Sequence, residues 1–314
     1  MQFCLTDETY SNIRIPGLVM TEKGTLIGAC ECRRTISDWA QIDILLRRSR
    51  DGGETWQDAL RIPGEGETLN NPVLTVQGSR IWLHYCENYR RLFVRESRDD
   101  GLTFTEPREI TEIFSGAGFF YNVFAVGPGH GIAIGSKMIL PVWIAQNREQ
   151  PQAHRPSFIA TVYSPDDGRT WSLGESLDCS GLANPSECAL APWTGGVISS
   201  IRNENCDRRR AFAHSPTGYD GWSKPALAEN MPDPICQGSM VSDGGELWHL
   251  NCAATEGRIN LTLKHSCDGF KTWDARVIDP VGGYGDLAVD RKYIYILYER
   301  EFGRDGLFFV KIKR

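Results

Sequence analysis

The sequence predicts an all-β fold, a six-bladed β-propeller of four-stranded antiparallel blades. Three observations carry that expectation. A turn motif recurs along the chain, an alternating run rich in β-branched residues precedes its copies, and the copies are spaced like propeller blades.

The motif is Ser-x-Asp-x-Gly-x-Thr-aromatic. It appears first at Ser49, Asp51, Gly53, Thr55 and Trp56, then at Ser97, Asp99, Gly101, Thr103 and Phe104, and again at Ser164, Asp166, Gly168, Thr170 and Trp171. A much decayed copy runs from Ser215 to Trp222, and a last copy has Ser266, Asp268, Thr272 and Trp273 with Phe270 in the glycine position. Such a segment reads as a hairpin turn, because the Asp carboxylate can accept backbone N–H groups and glycine tolerates positive φ. The closing aromatic is then free to pack between neighbouring units. Ahead of the turns, Ile42 to Arg48, Phe158 to Tyr163 and Ile259 to His265 alternate as strands do. Helical periodicity is nearly absent.

Blades of roughly 40 to 50 residues divide the 314 residues into six. Residues 1–314 are therefore expected to form a single domain, with no linker-like break at which to cut it. Blades lacking the motif are expected at the ends. An N-terminal strand pairing with Tyr293 to Tyr298 or Leu307 to Ile312 would close the ring and remove its exposed edges.

Composition excludes several function classes. The net charge is −6 and the Lys and Arg residues are scattered, which argues against a nucleic-acid partner. No apolar run reaches membrane-spanning length, so no membrane partner is expected. The opening residues have neither the basic start nor the apolar core of an export signal. The cytoplasm is thus the expected compartment of the chain as it stands, with secretion or the periplasm expected if a leader has been removed. The ten cysteines are spread through a chain long enough to bury its own core, so they are expected as free buried thiols. Only Cys30 and Cys32 are close together, and no second pair gives a zinc-ribbon spacing; neither a metal nor a cofactor is expected.

The recurring turns resemble the Asp-box, or neuraminidase, repeat, and a second layer of motifs resembles the sialidase family in chain order across nearly the whole sequence. Ile13-Arg14-Ile15-Pro16 is similar to that family's Arg-Ile-Pro motif, and it is followed by Gly24-Thr25-Leu26-Ile27, Glu31-x-Arg33 and Ser37-Asp38. Arg61-Ile62-Pro63 has the same tripeptide without that context. Further on come Gly127 to Ile132, which resembles a loop lining the substrate rim, then Ser186-Glu187, Arg202, Asp233 to Ser239, Gly257-Arg258-Ile259, Gly283-Tyr284-Gly285 and Tyr298-Glu299. Ser186 stands where the family commonly has asparagine, and Gly285 where a serine often follows the tyrosine.

The resemblance implies an exo-glycosidase that retains anomeric configuration and removes terminal α-linked sialic acid from a sialylated glycan or a free sialoside. It assigns Arg14, Arg202 and Arg258 to the substrate carboxylate, a task that suits the two-toothed fork of guanidinium. It makes Tyr284 the nucleophile, Glu187 its base and Asp38 the acid. A neutral phenol avoids the repulsion that a carboxylate nucleophile would meet, and sialidases are the tyrosine exception among glycosidases. Glu299 is expected to fix Arg14 by an ion pair, and Arg33 to be a fourth basic group near the carboxylate or the C4 substituent. Asp38, flanked by Ile36 and Trp39, is expected to gain a raised pKa as its loop closes over the substrate and desolvates it.

The same arginines would serve a hydrolase or intramolecular transferase acting on deaminated sialic acid (Kdn) or the eight-carbon Kdo, or a non-catalytic sialoglycan-binding propeller. Tyr121, Asn122, Trp143 and Gln237 are candidates for the C5 pocket. Asp207-Arg208-Arg209-Arg210 reads as a solvated edge or turn, and the Asn260-Leu261-Thr262 glycosylation triplet as part of a buried strand.

Overall fold

The computed structural model describes residues 1–314. Its strands form six sheets, each built on four antiparallel strands, arranged as the six blades of a propeller. In chain order the blades begin at strands Asn12–Met20, Leu69–Gln77, Val123–Val126, Cys188–Trp193, Ser239–Asp243 and Gly285–Val289. These first strands neighbour one another around the axis. No helix is long and apolar enough to cross a membrane.

Alternation generates the blades where it was expected: strands run over Ile42–Ser49, Ser157–Ser164 and Ile259–Ser266. The ring closes as the sequence suggests, since Gln2–Cys4 pairs antiparallel with Leu307–Lys313 and supplies the outer strand of the sixth blade.

Each recurring turn starts on the last residue of a blade's third strand. In the second blade Ser97 Oγ donates to Asp99 and accepts the Gly101 N–H at 2.9 Å, while Asp99 accepts both the N–H and the hydroxyl of Thr103. Phe270 occupies the glycine position of the fifth blade at φ 62°, and its N–H still donates to Ser266 Oγ. In the decayed fourth copy Thr217 replaces the aspartate, and its hydroxyl accepts the N–H groups of Tyr219 and Asp220. The aromatics do bridge blades. Trp56 of the first meets Phe309 of the sixth at 5.3 Å, and Trp171 of the third meets His84 of the second at 4.5 Å. Apolar clusters fill the spaces between blades, the largest including Trp82, Phe124, Trp143, Ile159 and Ala211.

Three expectations need correction. The segment Gly127 to Ile132 does not line a rim. It interrupts the first strand of the third blade, pairs Gly129–His130 in parallel with Val73 and Leu74, and lies almost wholly buried on the axis. There Asp286 receives the His130 Nδ1 contact at 2.7 Å, the Ser239 hydroxyl at 2.6 Å and the Leu18 N–H at 2.7 Å, tying several blades together. Arg210 is fully buried rather than solvated, because Asp233, the Ser200 hydroxyl and the carbonyls of Ser200 and Cys236 take up its donors. Of the glycosylation triplet, Leu261 and Thr262 are buried on their strand as expected, but Asn260 is exposed at its bulged start with φ 54°. All ten cysteines are free; six are buried, but Cys206 and Cys267 are exposed.

Candidate active site

Antiparallel blades give the propeller two unlike ends. The recurring turns join third to fourth strands at one end, so the residues entering first strands, leaving second strands and entering third strands all gather at the other. Every sequence-predicted site residue falls into those positions. Glu187 and Tyr284 directly precede the first strands of the fourth and sixth blades. Arg33 and Glu299 end second strands, and Arg202 follows one. Arg258 directly precedes the third strand of the fifth blade. Asp38 lies in the loop between Leu26–Arg33 and Ile42–Ser49. Arg14, near the start of its strand, is followed by a bulge in which Ile15 takes φ 56°. A β-branched residue in that region is strained, and such strain persists where the surroundings over-determine it.

The three arginines converge around Tyr284. The guanidinium carbons of Arg14 and Arg258 lie 5.0 and 4.8 Å from its ring centroid. Arg202 Nη1 donates to the phenol oxygen at 2.7 Å and also to Glu187. The phenol in turn donates to Glu187 Oε1 at 2.5 Å. Glu299, fully buried, accepts Arg14 Nε and Nη2 at 3.0 and 2.9 Å and Arg258 Nη1 at 3.2 Å, so one carboxylate aligns two guanidiniums. Burial would raise the Glu299 carboxyl, but the two arginines outweigh it and hold the pKa below its ordinary value. Burial raises the Tyr284 phenol, which therefore stays protonated at neutral pH although the arginines pull the other way. Glu187 and Glu299 do not take up all the guanidinium N–H groups: Arg202 Nε and the second Nη of Arg258 have no hydrogen-bond partner.

Asp38 stands open to solvent with its loop as it lies here. Its side chain is 44% exposed, Ile36 beside it is also exposed, and Arg33 Nη1 donates to Asp38 Oδ1 at 2.6 Å. Burial still acts to raise its pKa, but Arg33, with help from Arg14, lowers it overall. An opposite charge in contact favours the ionised form more than partial desolvation disfavours it. Arg33 itself is fully buried, with its Nε on Glu31 Oε2 at 2.7 Å, and reaches the cavity through Asp38.

Apart from Trp39 and Trp143, sequence reasoning missed the wall of the cavity next to Asp38. This space of about 430 Å³ is lined by Asp38, Trp39, Glu187 and Arg202 together with Trp143, Gln152, His154 and the ion-paired Arg155 and Glu204. His154 packs among Trp39, Tyr89 and Trp143, with ring centroids 5.0 to 6.2 Å apart. No motif marks His154, whose place depends on the loop 146–156. Of the C5-pocket candidates, Trp143 lines this cavity. Asn122 instead braces the loop, accepting the Asn147 N–H and donating to the Ala153 carbonyl, both at 2.7 Å. Gln237 accepts the Gly285 N–H next to Tyr284, and Tyr121 packs against Phe114 and Phe124.

Comparison with known proteins adds a family. The family model described as BNR repeat-like domain matches residues 39–296. A sialidase of Bacteroides fragilis is 28% identical over 98% of this chain and 63% of its own length. The chain thus spans less than two thirds of that relative. Among solved structures, the Hadza microbial sialidase Hz136 superposes with a TM-score of 0.84 at 23% identity, covering 98% of this chain and 66% of that one. A Trypanosoma rangeli sialidase in complex with 2,3-difluorosialic acid, described as a covalent intermediate, superposes with a TM-score of 0.76 at 17% identity, covering 98% of this chain and 54% of that one. At these identities the structural likenesses establish the shared propeller.

Proposed function

Since the chain belongs to the family of BNR repeat-like domains, we propose that it is a retaining exo-sialidase that hydrolyses terminal α-linked sialic acid from glycoconjugates. The observation that carries this reading is the Tyr284 phenol donating to Glu187 within a ring of three guanidiniums. An anomeric carboxylate would accept the guanidinium N–H groups that Glu187 and Glu299 leave unused, and would set the anomeric carbon beside the phenol oxygen.

In the first step the Tyr284 oxygen attacks the anomeric carbon as its proton passes to Glu187. The bond to the leaving oxygen breaks, and that oxygen takes a proton from Asp38. In the second step Asp38, now a carboxylate, removes a proton from a water that attacks the same carbon. The electron pair of the sugar–tyrosyl bond returns to Tyr284, which recovers its proton from Glu187. Arg202, bonded to both Tyr284 and Glu187, stabilises charge on either as the proton moves. A base in hydrogen-bond contact is what a phenol of high pKa needs to act as a nucleophile.

The test is a trap followed by a survey. A 2,3-difluoro sialic acid should leave a covalent mass increment on the Tyr284 peptide, absent from Tyr284→Phe. Aryl glycosides of Neu5Ac, Kdn and Kdo are then compared, with Neu5Ac expected to turn over fastest. Absence of turnover on all three sinks the enzyme reading, and an adduct on another residue sinks the assigned nucleophile.

A further inference from the structure

Three thiols meet at the seam where the ring closes, well outside the arginine cluster. Cys30 and Cys32 lie two residues apart on Leu26–Arg33 and so share a strand face. Gly28 belongs to the same face, and a Cβ there would lie 2.7 Å from the Phe3 ring, so the missing side chain is what admits the closing strand. Cys4 follows Phe3 on that strand and pairs with Leu307 of the sixth blade. The three sulfurs all lie within 4.8 Å of one another. Cys30 and Cys32 are buried and Cys4 is partly exposed, which leaves a way in.

Thiolate bonds of about 2.3 Å to zinc put three sulfurs around one ion about 4 Å apart, so the cluster needs to contract by less than about 1 Å. Thiolates select soft ions. Three of them around a divalent ion carry one net negative charge, and a cation already stands beside the cluster: Arg47 Nη1 donates to the Phe3 carbonyl at 2.5 Å. The neighbouring carboxylates are engaged elsewhere, Asp43 by Tyr10, Arg61 and the Gly64 N–H, and Asp7 by the N–H groups of Thr9 and Tyr10.

We propose that Cys4, Cys30 and Cys32 form a three-thiolate site for a soft divalent d¹⁰ cation of the zinc and cadmium type, with solvent in the fourth position. Binding releases three thiol protons to solvent, forms three metal–sulfur bonds and changes no oxidation state. It ties the closing strand of the sixth blade to the second strand of the first, and so stabilises the closed ring.

The reduced, chelator-treated protein is titrated with Cd²⁺ while the thiolate-to-metal ultraviolet band and the melting temperature are followed. The band should saturate at one equivalent with an amplitude fitting three thiolates, and the melting temperature should rise with Cd²⁺. Cys4→Ser should weaken binding by roughly 100-fold or more and abolish the thermal shift. Cys206→Ser, at an exposed thiol outside any such cluster, should change neither. Because Cys4 lies on the margin of the cluster, its serine variant serves even if Cys30→Ser does not fold. No saturable band, or one that survives Cys4→Ser unchanged, overturns the site. So does peptide mapping that finds the three sulfurs alkylated at the same rate with and without Cd²⁺.

Discussion

Asp38 is held as a carboxylate by Arg33, yet the proposed first step requires it to deliver a proton. Its pKa lies below the ordinary value, so the protonated fraction at neutral pH is small and grows as pH falls. Hydrolysis of a sialyl-oligosaccharide, whose leaving oxygen needs that proton, should therefore speed up on mild acidification more than hydrolysis of a nitrophenyl sialoside does. Asp38→Asn should lower kcat/KM on the oligosaccharide by roughly 10²- to 10⁴-fold and far less on the nitrophenyl substrate. Equal losses on both would remove Asp38 from the acid role. Glu299 gives a different signature, since it aligns Arg14 and Arg258 without touching the phenol oxygen. Losing charge-assisted bonds of about 1.5–3 kcal/mol should make Glu299→Gln raise KM by roughly 10- to 100-fold, with kcat changed much less. A fall confined to kcat would speak against carboxylate binding by those two arginines.

Among the elements, the recurring turns offer the cleanest linkage between charge and stability. Asp99 accepts the hydroxyl and N–H of Thr103, and although some burial acts to raise its pKa, these bonds lower it from 3.8 to about 2. A carboxylate whose folded pKa is depressed stabilises the fold above its unfolded pKa and loses that contribution as pH falls through the folded value. The melting temperature should thus drop between about pH 4 and pH 2, and Asp99→Asn should flatten that segment of the curve. The same turns explain why the fold is legible in the sequence: their chemistry is local, each turn being wired within a few residues. The arginines and Tyr284 are legible only as motifs. What resists reading is what distant partners decide. Arg210 is buried by Asp233, Asp38 takes its charge state from Arg33, and Gly127 to Ile132 turns inward because Asp286 waits on the axis. His154 carries no local signal at all, because its aromatic neighbours come from three other stretches of chain.

The molecule as a whole is a ring closed by one short strand. Phe3 is 1% exposed and fills the place that Gly28 vacates. Phe3→Ala should cost about 3–5 kcal/mol, read as a lowered denaturant midpoint at unchanged slope. Arg14, Arg202 and Arg258 come from the first, fourth and fifth blades, so catalytic activity and tertiary structure should be lost in a single transition. Activity that outlasts the loss of near-ultraviolet signal would contradict that coupling. The two ends of the propeller also differ in what they offer a neighbour. Hairpins such as Gly244–Gly245 and the turn at Gly52 project from the end remote from Tyr284. A protein anchored to a bead or fused to a scaffold through those turns would keep the Tyr284 end toward the bulk, open to bulky, surface-bound substrates of the proposed reaction. The same attachment through the loop 34–41 would turn that end against its support, so orientation alone would decide whether the immobilised protein works.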